Sequence, residues 1–514
     1  MRSAIFIKTD HMFYRIRYTV AVVLLLVPAL FVINGCKGTS ESFSTSSPVG
    51  KPTVRPTATK IPMKKPAAQP TATKMTAVEE KVKSTDVVSA NNSESDDITY
   101  STIFTLATDY EQFPDDTQAK FQSIVDQEFS AIKDKSGMSV AIYRDGLLWT
   151  YATGKSSESI ALTVNTPMMI SSTSKTVLSA LILVQIDRGL YELSDSLETV
   201  LSGHPDFSSF STDKINTKVT VEELLTMSTG LPNFNDNIQG KSELAKSSSW
   251  RPADLINLVE TVYLEPGTFE YNDTNVVLLG MIAEFHSGQR LADLYRQTFY
   301  DPLSITAITL PEEGIQWHSD ILHDSGDQLT IPAMAMPYGD ISRWSSGYGN
   351  IIDAAPFEFG YYVGAIGRNR YACCGIVSTP QNMSRWAYEL YSTNGSAISG
   401  PIRVQLLNSF SEKRISPWSS STRPGIIPDQ YGYLVSKKTF KLPGDRTITA
   451  YGHLGGGAGY SAWMHYSPEL DMSISIIANS ELKVSGTCGT EDPGNCIASN
   501  IFSVYPDKSQ PITE

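Results

Sequence analysis

A hydroxyl and an amine stand three positions apart at Ser172 and Lys175, at the mouth of the apolar run Val177 to Ile186. On a helix, residues i and i+3 share a face, so the spacing puts the amine within hydrogen-bond reach of the hydroxyl. An amine so placed can take the serine's proton, and the N–H groups at a helix start favour negative charge on the attacking oxygen. The spacing alone is weak evidence. Ser211 to Lys214 and Ser480 to Lys483 repeat it, although neither opens a long apolar helix. A serine that only caps a core helix fits the segment as well.

Two later strings carry further reactive side chains. In Pro266 to Gly280, a Pro-Gly turn is followed by Tyr271-Asn272-Asp273 and an apolar run. A phenol there can shuttle a proton; the structural alternative is a tyrosine at a helix entrance with Asp273 as its N-cap. In Tyr451 to Ser461, His453 precedes the glycines Gly455, Gly456 and Gly457. A strand at Ala462 to Tyr466, a turn at Pro468 and a second strand at Met472 to Ala478 should follow. A lone histidine before glycines is most often a loop histidine.

With the string Val219 to Pro232, which reads as a strand end, a short capped helix and a Gly-Pro turn, these segments resemble the β-lactamase-related serine hydrolases. That family includes class C β-lactamases, D,D-carboxypeptidases, D-amino-acid peptidases and esterases. Ser172 and Lys175 match its S-x-x-K element, Tyr271 its Tyr-x-Asn loop, and His453 to Gly455 the His-x-Gly form of its third element. Met227-Ser228-Thr229-Gly230 stands where the family usually has His-Thr-Ser-Gly, and Gly375 to Pro380, with Cys374 before it, echoes a Gly-Gly-x-x-Ser-Thr turn. The resemblance covers roughly Asp115 to Tyr505.

The resemblance implies an α+β fold, an antiparallel sheet flanked by helices with a helical subdomain, and an acyl-enzyme on Ser172. Lys175 and Tyr271 would move the proton, and the N–H groups of Ser172 and Gly456 would hold the oxyanion. Gly455 would let substrate backbone pass along the strand edge, and His453 would line the pocket, orienting the tyrosine or a substrate carboxylate. Asp273 replaces the Asn most often found there. A carboxylate beside Lys175 should hold its ammonium, which works against the lysine as base, favours Tyr271 and disfavours strong β-lactam hydrolysis. The expected substrates are cell-wall or D-amino-acid peptides, with esters and β-lactams behind them; the rival outside catalysis is a silent wall-binding lipoprotein. No cofactor is implied, no close His/Asp/Glu cluster suggests a metal, and no Gly-x-Ser-x-Gly elbow occurs.

The elements that must position these residues follow from patterning. The chain has 514 residues, 41% hydrophobic and 18% charged, enough for a substantial core. A helix is predicted at Asp115 to Lys133 from the spacing of Phe121, Ile124, Val125, Phe129 and Ile132. A hairpin is predicted over Met138 to Tyr143 and Leu147 to Ala152, around Arg144-Asp145-Gly146. The residues from Glu312 to Arg370 have little periodicity; Trp317, Tyr338, Trp344 and Tyr348 are cleft candidates there, or scattered core aromatics.

Ahead of this body, residues 1–36 have the form of an export signal: Arg15 and Arg17, the apolar run Val20 to Ile33, then Ile33-Asn34-Gly35-Cys36. The last four resemble a lipobox, which implies lipidation at Cys36 and a lipoprotein anchored in a membrane, facing the periplasm or the cell exterior; an uncleaved signal anchor is the alternative. Residues 37–98, rich in Ser, Thr, Pro and Lys, cannot bury enough apolar surface to fold and read as a linker to the domain at 99–514. The net charge is −13; the leader carries four bases against one acid and the linker nine against seven, leaving the body at −18. Such a balance argues against a nucleic-acid partner. In an exported chain, Cys488 and Cys496 could close the turn-rich loop between them, while adjacent Cys373 and Cys374 are expected as two buried thiols.

Overall fold

The computed structural model describes residues 104–505 with breaks, the longest at 310–333, 340–350 and 417–427. Helix α1 (Asp115–Ala131) stops two residues before the predicted Lys133, because Ile132 turns to extended backbone at ψ 137°. The predicted hairpin is β1 (Gly137–Arg144) and β2 (Leu147–Gly154), turning through Asp145 and Gly146, both at positive φ. Next come β3 (Met168–Met169), a single 3-10 turn over Ser171–Ser174, and α2 (Lys175–Asp187). Nearly all of α2 is buried, as its unbroken apolar run requires, and it ends at Gly189 with φ +74°.

A helical region follows. It includes α3 (Val221–Leu225), started by a reciprocal Thr220–Glu223 capping box, and α4 (Asp273–Ser287). Strand β4 (Ile308–Thr309) precedes α5 (Tyr371–Cys374), β5 (Ile376–Ser378) and α6 (Pro380–Tyr391). Then run β6 (Ser411–Ile415), β7 (Gln430–Tyr431), β8 (Ser436–Lys441), β9 (Thr447–Gly457), β10 (Tyr460–Ser467), β11 (Met472–Ala478) and α7 (Pro493–Val504).

Eight strands form one antiparallel sheet in the order β6-β7-β8-β9-β10-β11-β1-β2, so the last hairpin closes on the first. Alternation along β1 sends Ala141 and Tyr143 into the larger core with α2 and α4. Met138, Val140 and Ile142 go to the opposite face, where Phe121 and Val125 of α1 meet Ile497, Ile501 and Phe502 of α7. This is the expected α+β arrangement, with helices on both faces of an antiparallel sheet.

Two features of the fold set the site. The register between β8 and β9 ends at Ser436 opposite Gly452, while β9 stays paired with β10 through Gly457. His453 to Gly457 therefore lie beyond the paired end of β8. A small sheet, β3-β5-β4, holds the serine turn at both ends: Ile170 N–H donates to Ile376 O at 3.0 Å, and Ile376 N–H to Ser174 Oγ at 3.1 Å.

Candidate active site

Ser172 lies in the 3-10 turn rather than in the α-helix itself, and the residue before it, Ser171, is held at φ +47°. That region is costly for a residue with a Cβ, and such strain persists only where the surroundings impose it. Here β3 and β5 fix the chain on both sides, and the turn presents Ser172 with 9% of its surface exposed.

Behind it, Lys175 is fully buried and surrounded by acceptors. Its Nζ donates to Ser172 Oγ at 3.1 Å and to the Cys373 carbonyl at 3.2 Å, and pairs with Asp273 Oδ1 at 2.8 Å. Burial by itself would lower the amine's pKa, but the Asp273 carboxylate, joined by Cys374, Tyr271 and Cys373, outweighs it and holds the group well above the usual lysine range. Burial likewise works to raise Asp273, and Lys175 overrides it, keeping the carboxyl below its ordinary value. Position also favours the anion, because Asp273 is in the first turn of α4.

Asp273 is not the N-cap of that helix. Asn272 is, its side chain accepting from Thr274 N–H at 2.8 Å, which leaves Asp273 to face the amine. The other carboxylate oxygen accepts from Asn235 Nδ2 at 2.8 Å, and Lys241 Nζ donates to Asn235 Oδ1 at the same distance. Asn272 also donates to Leu231 O, and Thr229 Oγ1 donates to Asn275 Oδ1 at 2.6 Å, so the Met227 to Pro232 turn is laced to the start of α4.

Tyr271 joins the cluster with its ring centroid 5.0 Å from Lys175 Nζ. Burial drives its pKa well above the ordinary phenol value, more than Lys175 lowers it, so Tyr271 is protonated at neutral pH.

His453 comes to the same cluster. It is fully buried, with its ring centroid 6.2 Å from that of Tyr271 and its Nε2 3.0 Å from the Tyr431 hydroxyl. Its Nδ1 lies 2.5 Å from Leu454 O, and a carbonyl can only accept, so Nδ1 carries the proton and Nε2 accepts from Tyr431. Burial, aided by Lys175, holds the imidazole pKa down to about 3, so the ring is neutral. Tyr431, edge-on to Tyr271 at 5.8 Å between centroids, thus bridges the histidine and the phenol.

The two glycines divide their roles differently from the expectation. A Cβ on Gly455 would fall 2.0 Å from Ile170 O, so this glycine lets β9 lie against the serine turn rather than making room for substrate. Thr173 Oγ1, donating to His453 O at 3.3 Å, fastens the same contact. Gly456 meets nothing within 4 Å and is exposed.

Three contributors escaped the sequence reading. Cys374 Sγ is 3.8 Å from Ser172 Oγ and 3.7 Å from Lys175 Nζ, and Asp273, Cys373 and Cys374 bring ligand atoms within 4.8 Å of one another. A search for metal ligands close in sequence misses this set, because Asp273 is about a hundred positions from the two cysteines; the cysteine in place of a glycine before Gly375 was the available signal. Tyr431, in a strand of two residues, and Asn235 offered none. Cys488 and Cys496 form a disulfide, and just before it the Gly486 and Thr487 N–H groups donate to Glu128 of α1 at 2.9 and 3.0 Å. Cys36, the linker and Trp317, Trp344 and Tyr348 lie outside the described residues; of Tyr338 only the backbone is described.

Comparison with known proteins agrees with this fold. Penicillin-binding protein 4 of Amycolatopsis lactamdurans is 26% identical over 237 residues, 45% of this chain and 60% of that protein, so the match spans less than two thirds of the relative's length. D-amino acid amidase from Ochrobactrum anthropi shares the fold with a TM-score of 0.57 at 19% identity, over 75% of this chain and 98% of that one. A D-stereospecific amidohydrolase from Streptomyces gives 0.54 at 17%, over 76% and 100%. The octameric penicillin-binding protein homologue from Pyrococcus abyssi gives 0.52 at 19%, over 75% and 77%. The beta-lactamase family model matches residues 125–488, which contain the serine turn, the Tyr271 loop and the glycine strand, and the chain belongs to that family of serine hydrolases.

Proposed function

We propose that the protein is an exported hydrolase that forms an acyl-enzyme on Ser172 and acts on amide bonds of D-amino-acid peptides, in the manner of a D,D-carboxypeptidase or D-peptidase. The observation that carries it is the 3.1 Å contact of Lys175 Nζ with Ser172 Oγ inside a buried acid-base cluster. The names of the relatives, a penicillin-binding protein and two D-specific amide hydrolases, support the substrate class. The Arg15 and Arg17 head, the apolar run and Cys36 support export and lipid anchoring.

The resting ammonium has no lone pair for the serine proton. Acylation therefore couples two transfers: Lys175 passes a proton to Asp273 across 2.8 Å as it receives one from Ser172 Oγ. The transfer moves the negative charge from Asp273 to the serine oxygen while Lys175 stays an ammonium beside it, and substrate covering the site strengthens that attraction by excluding water. Oγ attacks the carbonyl carbon, and the N–H groups of Ser172 and Gly456 receive the oxyanion. The protonated Tyr271 gives its proton to the leaving nitrogen and takes one back from Lys175, which recovers its own from Asp273. Water then attacks the ester through the same relay in reverse, restoring Ser172.

Muropeptide, D-amino-acid amide, p-nitrophenyl ester and nitrocefin hydrolysis, measured side by side, tests the assignment. D-configured amide turnover exceeding the L-isomer and nitrocefin is expected. Ester turnover with no amide turnover would replace it with an esterase.

A further inference from the structure

Cys373 and Cys374 close α5 against the lysine, and neither is in a disulfide. Buried thiols are ordinary packing residues, but these two reach a carboxylate: Asp273 oxygen and both sulfurs lie within 4.8 Å of one another. Two thiolates and a carboxylate suit a thiophilic divalent cation such as zinc or cadmium, whose bonds of about 2.0–2.3 Å put neighbouring ligand atoms within about 4 Å. The donors would close in by roughly an ångström or less. Ser172 Oγ, 3.8 Å from Cys374 Sγ, stands where a fourth ligand or a bound water would be.

The second observation is that two of these donors, Asp273 and Cys374, already hold a positive charge. Lys175 Nζ lies 2.8 Å from Asp273, 3.1 Å from Ser172 Oγ and 3.7 Å from Cys374 Sγ. A doubly charged ion with an affinity for sulfur competes for the same acceptors. We propose that a zinc-class cation binds to Cys373, Cys374 and Asp273, displaces Lys175 from its counter-ion and reversibly blocks acylation. Binding releases the thiol protons to solvent. The inhibitory part rests on Ser172 as nucleophile; the binding part does not.

The test uses the full chain with cadmium and zinc as probes. Cadmium should produce an ultraviolet thiolate charge-transfer band saturating at one ion per chain. It should also protect Cys373 and Cys374 from alkylation, with peptide mapping separating them from Cys36. Saturating zinc should slow fluorophosphonate labelling of Ser172 at least tenfold, and a chelator should restore it. In a Cys373→Ala/Cys374→Ala protein, the half-inhibitory zinc concentration should rise at least tenfold, whatever its starting rate. Equal zinc sensitivity in the folded double variant would overturn the proposal, as would the absence of both band and protection in the wild type. If that variant does not fold, band and mapped protection decide alone. Failure of Ser172 to label without any ion would overturn the functional reading and leave the cadmium measurements to judge the site.

Discussion

Lys175 and Asp273 form an ion pair at 2.8 Å directly behind the nucleophile, with the amine fully buried and the carboxylate nearly so. Removing one partner from such a pair leaves an uncompensated buried charge, so each predicts a distinct phenotype.

In Asp273→Asn, burial acts on Lys175 without its main opposing charge, and the lysine pKa falls. The variant should hydrolyse esters with an acid limb at higher pH than wild type, because the amine must then be neutral to accept the serine proton. In the wild type, activity is lost only as acid protonates Asp273, whose pKa lies below the usual carboxylate range. A kcat/KM profile from pH 3 to 10 for both proteins measures the displacement. An unchanged acid limb refutes the coupled transfer.

Ser172→Ala should form no covalent adduct with a fluorophosphonate or a penicillin by intact mass. Its amide or ester turnover should drop by about 10³-fold or more, the scale for loss of a nucleophile whose neighbours remain. Equal turnover in the variant would remove Ser172 from the mechanism.

His453 and His465 are both buried, and both have pKa values pushed down to about 3. Each is neutral when folded and protonates near pH 6.5 when unfolded. The unfolded chain then binds more protons below that point, and stability falls as pH drops from about 6.5 towards 3. The expected slope is about 1.4 kcal/mol per pH unit for each histidine. Urea midpoints at pH 7 and pH 5, with His465→Gln compared with wild type, test it; equal pH dependence in the two proteins would contradict the neutral His465.

Gly455→Ala and Gly456→Ala should separate cleanly. The first meets Ile170 O at 2.0 Å and must push β9 off the serine turn, costing about 2 kcal/mol or more and most of the acylation rate. The second meets nothing and should keep the wild-type Tm. Thermal melts and labelling rates of both report the contrast.

Replacing Cys488 and Cys496 by serine opens a loop of eight-residue separation and should cost about 2–3 kcal/mol by chain entropy. Denaturant unfolding measures this, and labelling of Ser172 in the folded fraction should be unaffected.

The elements were legible where a pattern was local. The hairpin at Asp145-Gly146, the apolar α2 and the last two strands follow from spacing and turn chemistry, and the order of the three strings was enough to bring Ser172, Lys175, Tyr271 and His453 to one place. Long-range pairing was not legible. Whether Asp273 or Asn272 caps α4 depends on what Lys175 offers from another helix. Gly455 owes its identity to a carbonyl almost three hundred positions away, and Tyr431 acquires its role only by sheet formation. The direction of the Tyr271 shift depends on burial, which the residue types around it in sequence do not reveal.

The strand that pins the serine turn at Ile170 and Ser174 belongs to the same eight residues, Tyr371 to Ser378, whose first half touches the lysine. Anyone exchanging the long segment before Tyr371 to retarget the enzyme should place the splice upstream of that tyrosine. A junction inside those eight residues would change the aim of the nucleophile.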